Sequence, residues 1–220
     1  MLTAHRRVAA ACLLTAVTFS VAGCSSGSDD GSISDKIAGA DAGESGSSAP
    51  SASASADKDA PTFDFPTDVK VSVEREPTGD PAKDAILRDV AYSAEARLEG
   101  FVKGDGRAAN LNRYFTGPAL TYWNKRITAV KQQGLTSTGS YRYYDFEVTD
   151  IANEKTAAVR YCEDQRKAYS KEIKTGKVRR TQPSNDDFVE TTLQAAKNSR
   201  GDWQVQQTSW KKAAASCVQR

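Results

Sequence analysis

From residue 80 onward the apolar positions repeat first at helical spacing and then in alternation. Ile86, Val90, Ala94, Leu98 and Phe101 recur every three or four residues, with Arg88, Glu95, Arg97 and Glu99 among the polar positions between them. Asp80-Pro81 supplies an N-cap followed by proline at the first helical position, and Gly104-Asp105-Gly106 stops the run. A short second helix is predicted over about Arg107 to Phe115, presenting Ala108, Leu111 and Phe115. Gly117-Pro118 opens a third, with Leu120, Trp123, Ile127 and Val130 on one face, and Gly134 ends it.

After Gly139 the period falls to two. Tyr144, Phe146 and Val148 alternate with Tyr143, Asp145 and Glu147, the pattern of a half-buried strand. Ala157, Val159 and Tyr161 alternate with Ala158, Arg160 and Cys162 in a second, and Phe188 to Ala196 supplies a third. The turn Asn198-Ser199-Arg200-Gly201-Asp202 leads into a fourth, Trp203 to Lys211. Strict alternation puts Trp210 on the strand face opposite Trp203, so at most one of the two lines the inside. Three helices followed by hairpin-linked strands predict an α+β fold with helices packed on an antiparallel sheet.

The N-terminal sixty residues read differently. His5, Arg6 and Arg7 precede an apolar stretch, Val8 to Phe19, that is too short to span a bilayer core of roughly 30 Å. Val21-Ala22-Gly23-Cys24 follows, and the whole resembles a bacterial lipoprotein signal, although Val21 stands where that family usually has Leu. The resemblance implies a diacylglyceryl group on Cys24, cleavage before it, and residence on the extracytoplasmic face of a cell membrane. A plain secreted protein or an uncleaved anchor are the alternatives. Residues 25 to 60 are dominated by Ser, Ala, Gly and Asp and cannot bury enough apolar surface to offset their ordering entropy. The expected organisation is therefore a signal over 1–23, a lipidated Cys and disordered tether over 24–60, and one folded domain over 61–220.

Charge and rare residues narrow the chemistry. The whole chain carries 30 basic and 28 acidic residues. Residues 24–60 hold two lysines against seven acids, which leaves 61–220 mildly basic, a balance too modest to argue for nucleic acid. His5 is the only histidine and leaves with the signal, so the mature chain lacks Ser-His-Asp and Cys-His activation and histidine metal sites. No metal and no cofactor is expected. With Cys12 removed and Cys24 lipidated, Cys162 and Cys217 remain, and in an oxidising compartment they most simply form one disulfide. A reactive or metal-binding pair is the alternative, but the separation matches no metal pattern.

The order long helix, two shorter helices, then a curved sheet resembles the NTF2-like (SnoaL/ketosteroid-isomerase-type) cone. More narrowly it resembles actinobacterial lipoproteins with such a domain. The likeness is carried by Tyr114-Phe115-Thr116-Gly117-Pro118-Ala119-Leu120, Tyr161-Cys162-Glu163-Asp164, Trp203-Gln204-Val205 and the terminal Cys217. It implies a sheet wrapped round a helix to leave a pocket, catalytic in some members and used for binding or assembly in others. Cone-fold domains frequently pair through their sheets, so a homodimer is possible.

Relatives of the isomerase kind pair an Asp or Glu base with a Tyr donor. Tyr141, Tyr143 and Asp145 share a strand face by alternation and are the candidates here, with Tyr122 or Tyr161 able to approach. Against this, the same tyrosines serve equally as sheet packing and Asp145 as a solvent-face residue. A second candidate is the basic segment 166–180, with Lys171, Lys174, Lys177, Arg179 and Arg180, read as a long solvated hairpin loop or extension, or as a contact for anionic lipid, wall polymer or an acidic partner. Trp123, Trp203 and Trp210 read as core or pocket wall before a carbohydrate platform. The expected function is a non-enzymatic envelope module binding an envelope protein or a small apolar ligand. A small cone-fold isomerase or hydrolase, and a wall- or lipid-contacting structural protein, are the alternatives.

Overall fold

The computed structural model describes residues 59–218; the signal segment, Cys24 and nearly all of the 24–60 stretch lie outside the described residues. Within them, β1 (Val69–Val73) precedes three helices, α1 (Pro81–Lys103), α2 (Ala109–Tyr114) and α3 (Gly117–Gln132). The strands β2 (Leu135–Ala152), β3 (Thr156–Glu172), β4 (Val178–Arg179), β5 (Phe188–Lys197) and β6 (Trp203–Lys212) follow, and a short α4 (Ala215–Val218) closes the fold.

The helix punctuation behaves as its chemistry dictates. The Asp80 side chain accepts from the backbone N–H groups of Ala82 and Lys83, with Pro81 at the first helical position, and Gly104 takes the left-handed conformation that ends α1. α1 is buried on most of its circumference, because β2, β3 and β6 curve around it while α2 and α3 cover its remaining flanks. The result is an α+β cone with α1 along its axis.

Two expectations need correction. The sheet, ordered β1-β2-β3-β5-β6 with β4 on β3, is mixed, because β1 runs parallel to β2 from Val69↔Gly139 to Val73↔Tyr143. Val69, Val71 and Val73 alternating with Lys70 and Ser72 carried the signal for that strand, but five residues between polar loops make a short run. β2 and β3 also run to 18 and 17 residues, well beyond the apolar segments expected, so residues 166–172 of the basic stretch are a hairpin extension and not a loop. Their polar ends hide from an apolar-alternation reading, because covered residues there, such as Thr136 and Thr138, are polar and bond to backbone carbonyls.

Bulges shape the cone. Register shifts interrupt the β2–β3 ladder between Ser140 and Arg142, between Tyr144 and Glu147, and between Val148 and Asp150. Each adds bend and twist to a long strand. Gly139 sits mid-strand between β1 and β3 at φ +97°, where a Cβ would meet the Lys167 carbonyl oxygen at 2.1 Å, so only glycine fits.

On the convex face the Cys162–Cys217 disulfide forms, with Cα atoms 5.6 Å apart. It pins the C-terminal segment over a small second core of Tyr144, Cys162, Phe188, Ala214 and Cys217, and the Tyr144 hydroxyl donates to the Cys217 carbonyl.

Candidate functional site at the mouth of the cone

The interior of the cone is lined with tightly buried side chains. Ile86, Val90, Leu111, Ile127 and Val159 are fully buried along its axis, and Tyr143, Tyr161 and Trp203 close around them. Among these apolar groups sits an ion pair. Arg97 on α1 donates from Nη2 to Glu163 Oε1 on β3 at 2.5 Å, with Glu163 only 1% exposed and the Arg97 side chain 13% exposed. Thr191 Oγ1 donates to the same carboxylate oxygen at 3.1 Å, and Gln165 Nε2 donates to the other at 2.7 Å. Both carboxylate oxygens of Glu163 are therefore engaged by donors from the protein.

The electrostatics follow from burial. Burial pushes down on the Arg97 guanidinium, and the Glu163 charge more than reverses it, so Arg97 stays protonated far above its usual range. Tyr141, Tyr143 and Tyr161 are all pushed up, in each case first by burial. They are neutral phenols that can donate hydrogen bonds but carry no charge. Tyr143 meets Tyr161 edge-on at 6.2 Å, and Phe146 stacks on Tyr161 at 5.0 Å.

The structure separates the candidate trio. Tyr143 lies in the main core and Tyr141 packs against it, whereas Asp145 lines a cleft of about 310 Å³ with Glu74, Glu76, Arg142 and Tyr144. The physical reason is the bulge between Tyr144 and Glu147, at which Asp145 takes φ +54° and Phe146 occupies the inward place that strict alternation gave to Asp145. The carboxylate that does sit among the tyrosines is Glu163, with Arg97 as its partner. Helical periodicity puts Arg97 among the polar positions of the first helix, and Glu163 stands in the sequence only within the Tyr161-Cys162-Glu163-Asp164 pattern. A charge within the Tyr161-Cys162-Glu163 alternation was the available clue, since Glu163 shares the inward parity of Tyr161.

Toward solvent the interior opens on aromatic rings. The Arg97 guanidinium lies 4.9 Å from the Trp123 ring centroid, and Trp123 in turn contacts Tyr122 at 4.8 Å and Trp210 at 5.8 Å. Trp210 was expected opposite Trp203. The β5–β6 ladder pairs Gln194 with Gln207 but Ala195 with Val205, so Gln206 is an extra residue and reverses the alternation beyond it. Trp203 and Trp210 thus face the same, concave side, the first buried in the core and the second at the open rim.

The basic segment is partly neutralised. Lys171 pairs with Asp68 at 2.6 Å, Arg166 with Asp164 at 2.7 Å, and Arg179 with Glu172 at 3.1 Å, while Arg180 stacks over Tyr169. Lys174 and Lys177 flank the β3–β4 turn, beside an Ile173 that is 54% exposed. At the other end of the cone an open groove of about 760 Å³ gathers Arg88, Arg113 and Arg200, each paired to Asp89 or Asp202. Among the described residues no cluster of His, Cys, Asp or Glu could hold a metal ion, and no helix is long and apolar enough to cross a membrane.

No protein-family model matches the chain, and no curated protein does. Solved structures similar to it include the intermembrane-space region of the chloroplast protein ARC6, at 19% identity over 60% of this chain and 98% of that one, with a TM-score of 0.44. A ketosteroid isomerase-like protein from Erwinia carotovora atroseptica matches at 19% identity over 57% of this chain and 95% of its own, TM-score 0.37. A protein from Catenulispora acidiphila matches at 4% identity over 60% and 94%, TM-score 0.40.

Proposed function

We propose that this chain is a membrane-anchored extracytoplasmic lipoprotein whose folded domain binds a ligand or partner without catalysing a reaction. The observation that carries the second half is the state of Glu163. A general base must be free to accept a proton from substrate within hydrogen-bond reach. Glu163 is instead buried, held by Arg97, and occupied by Thr191 and Gln165. Asp145 lines an outer cleft away from the buried phenols. The anchoring half is supported by Arg6-Arg7, the short apolar run and Val21-Ala22-Gly23-Cys24 in the sequence.

Both halves are open to direct test. Radiolabelled palmitate fed to cells making the full chain is expected to label the wild type and not Cys24→Ala; an unlabelled wild type overturns the anchor. A Δ5-3-ketosteroid isomerisation assay on the purified chain is expected to show no turnover above background. Turnover abolished by Glu163→Gln or Asp145→Asn would establish an enzyme instead.

A further inference from the structure

Tyr122 and Trp210 are 39% and 45% exposed and lie against each other, ring centroids 5.3 Å apart. Beneath them Trp123 connects this surface pair to the buried Arg97, and its indole N–H is buried without a hydrogen-bond partner. The platform has neighbours on two sides. Thr191 stands opposite Trp210 on the inward face of the sheet, and Phe101 meets Trp123 edge-on at 6.0 Å.

Size and charge decide what such a surface can take. Each aromatic side chain buries about 150–250 Å² when fully covered, so two rings exposed to this degree offer roughly 200 Å². A stable protein partner needs about 800 Å² on each side. The footprint suits a ring, not a protein face. The two elements that build the platform carry Lys125, Arg126, Lys131, Lys211 and Lys212 and no acidic residue. Lys212 follows Trp210 on the same strand face, and Arg126 lies one helical turn beyond Tyr122. A cationic ligand is disfavoured by Lys212 and Arg126 beside the rings and by the guanidinium already stacked on Trp123. A saccharide ring presents weakly positive C–H groups to the negative face of an aromatic ring, and an anionic substituent on it would find Lys212 and Arg126 at the rim.

We propose that the Trp210–Tyr122 platform binds the ring of an acidic saccharide, with Lys212 and Arg126 receiving its anionic group. This rests on the reading of the domain as a binding module, and names its ligand class and its surface.

The test uses the mature chain, residues 24–220, with Cys24→Ser so that it is soluble without its anchor. Oligogalacturonate is titrated against it by calorimetry and tryptophan emission, with neutral maltohexaose and oligoglutamate alongside. Oligogalacturonate is expected to bind, and Trp210→Ala and Tyr122→Ala to weaken it about tenfold or more each, as loss of a stacked ring does. Trp210→Phe retains a ring and is expected to stay within a few-fold of wild type, which separates stacking from misfolding. Lys212→Ser with Arg126→Ser is expected to weaken binding and flatten its salt dependence. Replacing Lys171, Lys174, Lys177, Arg179 and Arg180 by Ser is expected to leave it unchanged. Oligoglutamate binding as tightly as oligogalacturonate, undiminished binding by Trp210→Ala, or no binding of oligogalacturonate at all overturns the proposal. The isomerisation assay is read independently, so failure of the binding-module reading and failure of this site are distinguishable.

Discussion

Glu95 sits partly buried on α1, and burial alone raises its carboxyl to about 7. The folded-state value lies above the ordinary one, so between about pH 4.5 and pH 7 the folded chain binds a proton that the unfolded chain has lost. Ionising Glu95 therefore costs stability as pH rises through that window. Glu95→Gln is expected to gain on the order of 2 kcal/mol over wild type at about pH 8 and close to nothing at about pH 4. Urea midpoints across pH check this, and a gain that does not vary with pH would remove Glu95 as its source. The second residue-scale case is the interior ion pair. Arg97→Met leaves Glu163 buried and uncompensated and is expected to cost about 3–5 kcal/mol, with much of that recovered by adding Glu163→Gln. Chemical denaturation of the two variants decides it: equal losses would mean the charge left behind is not what costs stability. These residues also show where sequence reading stops. Arg97 and Glu163 each look like a solvent-face charge in a single periodic window, and only the pairing across 66 positions makes burial affordable for both. Asp145 fails for a different reason, because one bulged residue exchanges the faces of everything near it.

The elements themselves were largely legible. The proline and glycine punctuation of α1 and the onset of α3 at Gly117 follow from local backbone chemistry, which acts within a few residues and is written there. What was not legible is set by partners distant in sequence: the parallel pairing of β1, the polar halves of β2 and β3, and the bulge at Gln206 that turns Trp210 inward. The C-terminal segment belongs to the same group, except that its cysteine could be counted. α4 spans Ala215–Val218 and no helix so short is stable alone, so its position depends on the covalent link to β3 and on the Tyr144, Phe188 and Ala214 contacts beneath it. Cys217→Ser is expected to lower stability by about 2–4 kcal/mol. It should also make the last residues sensitive to carboxypeptidase while α1 and the concave core keep their hydrogen-exchange protection. Loss of protection throughout the sheet would show instead that the bridge supports the whole cone.

At the scale of the folded unit, strands and helices close around α1 and bury most of its circumference. α1 fills the axis, three phenols and a salt bridge occupy the wide end, and the accessible chemistry moves outward to the aromatic rim and the basic hairpin. Stability and the site of recognition are then linked, since Trp123 belongs both to the core and to the platform. Removal of one interior ring should create space in this core. Tyr143→Ala deletes a fully buried phenol and is expected to cost about 3–5 kcal/mol, because the surrounding helices and strands collapse only partly into the gap. The gap would lie beside the Tyr161 ring and near the charged Arg97–Glu163 pair, so a small molecule with both a ring and a hydroxyl is suited to refill it. Phenol added at millimolar concentration is therefore expected to raise the melting temperature of Tyr143→Ala and leave that of the wild type unchanged. A wild type stabilised by phenol as strongly as the variant would mean that the cone is already hollow, and would return the search for a ligand from its rim to its interior.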